Sequence, residues 1–103
     1  MGDSAAAPRR AVYFVSDGTA ITAETLGSAL LVSFPSVPLD RHTIPFVDTP
    51  EAAAEAVATI AATATDRARS DAPPLVFTTI RDLAIRQQVA AAPAIVIDLL
   101  GGH

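Results

Sequence analysis

The sequence predicts a three-layer α/β domain of order βαβαβαβ, with its four strands in a mostly parallel sheet. Three observations carry that expectation. Short apolar runs rich in β-formers alternate with longer helix-period stretches, the pattern of parallel strands joined by right-handed crossover helices. The first three runs lead into small clusters of Ser, Thr and Asp, the residue types that start helices. Prolines at 35, 50 and 93 fall where a helix should end or begin.

Residues 1–10 are small, polar and alanine-rich, and read as a flexible leader in which Arg9 and Arg10 are solvated charges. Residues 11–16 form the first strand, a continuous apolar run of the kind buried on both faces of a parallel sheet. The turn Ser16-Asp17-Gly18-Thr19 follows, and Gly18 is expected to supply a positive φ or a close backbone approach there. Thr19 or Thr22 should cap the helix that opens next, with Glu24 in its first turn facing the positive end of the dipole. Ile21, Ala23, Leu26, Leu30 and Phe34 fall along one face of that helix, which Phe34-Pro35 should stop. Gly27 on that face would allow close approach to the sheet.

The second strand is expected over residues 39–47. Pro45 makes it short, bulged or an edge strand, and His42 reads as a partly exposed strand histidine. Asp48-Thr49-Pro50-Glu51 is the clearest helix start: a cap, proline at the first helical position, then an acid. That helix should run to about residue 70, burying Ala53, Val57, Ile60, Ala61 and Thr63, with Arg67 and Arg69 at its end. Residues 75–78 form the third strand. Thr79 with Asp82 reads as a capping-box variant opening a helix over residues 81–91. Pro93 ends that helix, residues 94–97 form the fourth strand, and residues 101–103 read as a tail or the start of a linker. The alternation leaves two sheet orders open, 2-1-3-4 and 3-2-1-4.

Composition narrows the chemistry. A 103-residue chain that is 50% hydrophobic can bury one core without staples. Its net charge of −4 argues against a nucleic-acid partner. No apolar run reaches the ~18 residues of a membrane span, and the start of the chain lacks a signal-peptide pattern, so a cytoplasmic protein is expected. There is no cysteine, hence no thiolate site or thiol nucleophile. All seven basic residues are arginine, which excludes the lysine of a Walker A loop. With only His42 and His103 as histidines, no metal centre is expected.

In a parallel sheet the carboxyl ends of all strands lie on one edge, where ligands bind. The sequence places four polar clusters there: Ser16, Asp17, Gly18 and Thr19, followed by Thr22; Asp48 and Thr49; Thr78 and Thr79; and Asp98. Hydroxyls and amides at a helix start suit a phosphate or another anion. The same residues also serve as helix caps, and for the second and third clusters capping alone is the simpler reading. The turn at residues 16–19 is more elaborate than a cap needs, and reads equally as an anion-binding turn or as a cap, with an interface role also open.

The string Val12-Tyr13-Phe14-Val15-Ser16-Asp17-Gly18-Thr19-Ala20-Ile21-Thr22-Ala23-Glu24-Thr25-Leu26-Gly27, with Phe34-Pro35, Ile44-Pro45-Phe46-Val47-Asp48 and Leu75-Val76-Phe77-Thr78, resembles a known family. These are the bifunctional regulatory proteins of phosphoenolpyruvate synthase and pyruvate, phosphate dikinase, and the resemblance runs over residues 12–100. It implies an enzyme that phosphorylates a threonine of its target with ADP and reverses this by phosphate-dependent release of pyrophosphate. The family's nucleotide-binding loop lies in a carboxyl-terminal domain outside these residues, so no catalytic residue carries over. The resemblance therefore implies an amino-terminal domain, cut off or naturally short, that binds no cofactor alone. Its partner would be the synthase or dikinase, or a second copy of itself. A stand-alone small-anion or nucleotide-binding module is the alternative.

Overall fold

The computed structural model describes residues 10–32, 39–65 and 73–100. Within them the order is β1 (Arg10–Ser16), α1 (Ile21–Leu31), β2 (Leu39–Ile44), α2 (Pro50–Ala64), β3 (Leu75–Thr79), α3 (Leu83–Ala90) and β4 (Ile95–Asp98). The four strands pair in the order β2-β1-β3-β4, and every pairing is parallel.

That order decides the layers. A right-handed crossover from β1 outward to β2 must use one face of the sheet. The crossovers that run the other way, from β2 over β1 to β3 and on to β4, must use the opposite face. The core divides accordingly. Ala23 and Leu31 of α1 pack with Val12, Phe14 and Phe77 on one side. Ala53, Ala56 and Ile60 of α2 and Ile85 and Val89 of α3 pack with Tyr13, Val15 and Val76 on the other. β1 lies at the centre of the sheet and is buried along nearly its whole length. Pro45 lies just past β2, which is the edge strand, as a residue without a ladder donor requires.

Helix α2 begins as its sequence dictates: Thr49 Oγ1 accepts from Ala52 N at 3.0 Å and Pro50 takes the first turn. The other two helix starts differ from expectation. Neither Thr19 nor Thr22 caps α1. Its N-cap is Ala20 at φ 72°, with no side-chain cap bond. The left-handed residue of the opening turn is thus Ala20, while Gly18 takes no positive φ, and a Cβ there would meet only Ser16 Oγ at an ordinary 4.0 Å. For α3 the cap is Asp82, whose Oδ1 accepts from Ile85 N at 3.1 Å, and Thr79 instead closes β3. The Thr79 side chain lies on the α1 face of the sheet, away from the start of α3.

The buried stripe of α1 is also rotated from the expected face. Ala23, Gly27 and Leu31 face the sheet, while Ile21, Leu26 and Leu30 are exposed. The Phe14 and Phe77 rings, stacked at 5.8 Å, already fill the space beneath the helix, so it turns its smallest residues inward. Past β2, Phe46 leaves the expected strand for a left-handed conformation and is exposed, while Val47 is buried. Arg10 belongs to β1 rather than to a leader, and its Nε donates to Pro73 O at 3.0 Å. His42 is half-buried, contacts Asp40 at 3.3 Å and stacks on Tyr13. Phe34, Arg67 and Arg69 lie outside the described residues, as do residues 1–9 and 101–103.

Candidate functional site

Adjacent strands β1 and β3 carry connections that leave toward opposite sides of the sheet. Their carboxyl ends therefore diverge into a crevice, the position where ligands bind in open α/β sheets. Ser16 and Thr79 are partners across this crevice. Strand alternation puts both side chains on the α1 face, in line with Phe14 and Phe77 two residues earlier. The turn after β1 and the start of α1 complete a cleft of about 280 Å³, lined by Ser16, Asp17, Gly18, Thr19, Thr22 and Thr79 among others, with Arg81 and Leu100 as further walls. That volume is small beside the roughly 300–1,000 Å³ of sites that enclose drug-sized ligands. It suits a small group.

Backbone bonds hold the cleft. Ser16 Oγ accepts from Gly18 N at 3.0 Å and tightens the turn. The loop after β2 clamps the same turn through Phe46 N to Gly18 O and Val47 N to Ser16 O, both 2.8 Å. These two bonds offset the roughly 1–2 kcal/mol of left-handed backbone at Phe46. Asp17 crosses the crevice: its Oδ2 accepts from Arg81 N at 3.0 Å and from Arg81 Nε at 3.2 Å.

Burial pushes the Asp17 carboxyl up, but the Arg81 backbone N–H and then its guanidinium outweigh that and hold it below the ordinary carboxylate value. A depressed native pKa contributes stability that is present above the unfolded pKa and lost as pH falls through the native one. Unfolding free energy followed against pH should therefore show the natural chain losing its advantage over Asp17→Asn as the solution is acidified. A constant difference at all acidic pH values would contradict the pairing.

Of the other candidates, Thr78 and Asp98 come together elsewhere. Thr78 points to the α3 face, where it lines a second concavity with Arg86 and Asp98, and Arg86 Nη1 pairs with Asp98 Oδ2 at 3.2 Å. Asp98 Oδ1 also accepts from Leu100 N. Asp48 and Thr49 sit beyond the edge strand and line neither space, with Thr49 engaged as a cap. The sequence reading had left Arg81 out of the site. Its place two residues past β3, the only described cation that close behind a strand's carboxyl end, was the available signal.

Both Thr78 Oγ1 and Thr79 Oγ1 are buried without a hydrogen-bond partner. An unpaired buried hydroxyl is destabilising by about 1–3 kcal/mol. Thr78→Val is accordingly expected to raise unfolding free energy by about 1 kcal/mol in urea titration. A loss of stability would show that the hydroxyl has a partner.

The family described as kinase/pyrophosphorylase matches residues 12–102 of this chain. A protein of Acinetobacter baumannii named "Putative phosphoenolpyruvate synthase regulatory protein" is 45% identical over 94 residues, covering 91% of this chain and 33% of its own length. Proteins of the same name from Pseudomonas putida and Methylibium petroleiphilum are 42% and 44% identical, over 88% and 91% of this chain. The chain thus spans about a third of the length of these curated relatives. No solved structure matches it. Among the described residues, no helix is long and apolar enough to cross a membrane.

Proposed function

The chain belongs to the kinase/pyrophosphorylase family, and we propose that it acts as the amino-terminal recognition domain of a cytoplasmic regulator of phosphoenolpyruvate synthase or pyruvate, phosphate dikinase. In this reading phosphoryl transfer from ADP to a threonine of the target, and its phosphate-dependent reversal, belong to residues beyond these 103. The observation that carries it is the match over nearly the whole chain to a third of relatives that bear the regulator's name, in a sequence with no lysine to grip a nucleotide's phosphates.

Calorimetric titration of the pure chain into either target enzyme tests this directly. Saturable binding to one of them is expected. Silence with both would overturn recognition as the domain's task.

A second reading, self-association, is favoured by one feature. Leu26 and Leu30, one turn apart, expose a short apolar strip along α1 that nothing in the described residues covers. Sedimentation of the ligand-free chain separates the two readings. A dimer that Leu30→Glu splits assigns the strip to a second copy, and a monomer that still binds the target leaves recognition as its use.

A further inference from the structure

The cleft between β1 and β3 combines three features that the recognition reading leaves unused. The first is an uncapped helix. The N–H groups of Ile21, Thr22 and Ala23 have no partner among the described residues, because Ala20 has no side chain that could accept from them. A helix start left bare carries about half a positive charge and outward-pointing donors.

The second is the Thr79 hydroxyl, which is independent of the helix. Thr79 is 6% exposed, its Oγ1 has no partner, and it lines this cleft from the β3 side. A hydroxyl retained at that depth without a bond is destabilising by itself, and a ligand oxygen would satisfy it. Ser16 lies opposite; its Oγ accepts from Gly18 N, which leaves its O–H free to donate into the same space.

The third is charge. Asp17 lines the cleft, but Arg81 N and Nε already hold its Oδ2. The Arg81 side chain is 83% exposed and its Nη atoms bond nothing among the described residues. One carboxylate faces one guanidinium, so the helix terminus tips the balance toward an anion.

We infer that this cleft binds a phosphoryl group, as inorganic phosphate or as the phosphate of a small ester, through the first N–H groups of α1, the Ser16 and Thr79 hydroxyls and the Arg81 guanidinium. A tetrahedral dianion matches donors arriving from a helix end, two strand ends and a guanidinium. The volume of about 280 Å³ is ample for a phosphate and leaves room for a small ester group.

The test is an amide NMR titration of the intact chain with sodium phosphate, with glycerol phosphate, and with sodium chloride at matched ionic strength. Saturable shifts at Ile21, Thr22 and Ala23 with either phosphate, absent with chloride, are expected. The tighter of the two phosphates identifies the source as free or esterified. Thr79→Val should keep the fold, because it removes an unpaired hydroxyl, and should weaken binding by about tenfold, as should Arg81→Gln. Thr78→Val, on the opposite face of the sheet, should bind as the natural chain does. Non-saturating shifts equal in phosphate and chloride, or unchanged affinity in a folded Thr79→Val, would overturn the site. The target enzyme takes no part in the titration, so a negative result here leaves the recognition reading standing.

Discussion

Gly27→Ala is expected to destabilise the domain by about 2 kcal/mol, although a glycine-to-alanine change inside a helix ordinarily stabilises by about 1 kcal/mol. The reversal of sign comes from the layer beneath. A Cβ at position 27 would stand 2.5 Å from Phe14 Cε1, 3.0 Å from Phe14 Cδ1 and 3.2 Å from Phe77 Cδ2. Phe14 and Phe77 cannot yield, since both are 2% exposed and stacked on each other at the centre of the sheet. The helix must therefore lift, and lifting α1 thins the contact that closes this face. Pairing the change with Phe14→Leu should recover part of the loss, making the double variant more stable than the sum of the single effects. Urea unfolding of the three variants decides it. Additive effects, or a stabilised Gly27→Ala, would show that the helix does not ride on these rings.

The opposite layer should respond to Ile60→Ala with a loss of about 3–4 kcal/mol. Ile60 is fully buried and sits in the cluster that joins α2 to Tyr13, Val15 and Val76 of the sheet. Truncating it leaves a hole bounded by two central strands, which have little freedom to collapse inward. Set against a stability of roughly 5–15 kcal/mol for a small domain, such a loss is large enough to populate unfolded chain at physiological temperature. Ile60→Val should lose only about 1 kcal/mol. Equal losses for the two variants would place Ile60 outside the packed layer.

The strands, their parallel sense and the Thr49-Pro50 helix start were legible because each follows from a local rule: apolar runs, alternation with helices, and cap chemistry. The choice between two sheet orders was not, since alternation alone does not say on which side of β1 the third strand lands. Helix α1 misled for a different reason. Ala23 and Gly27 lie inward as expected, but Leu26 and Leu30, expected on the same face by hydrophobicity, stay exposed because two phenylalanine rings already occupy the space. Size, set by the partner surface, overrode polarity. The turn at Ser16–Asp17–Gly18 was recognisable as unusual, but its left-handed residue is Ala20 rather than the glycine two residues earlier. Arg81 joins the cleft by pairing across the crevice with Asp17, 64 residues away in sequence, and its place two residues past β3 was the only local hint of that.

Recognition without phosphoryl transfer is tested most directly by incubating the pure 103-residue chain with phosphoenolpyruvate synthase and radiolabelled ADP, beside a full-length member of the family. The synthase should acquire label from the full-length protein and none from this chain, even where calorimetry shows that the chain binds it. Label carried to a threonine of the synthase by this chain alone would contradict that division of labour.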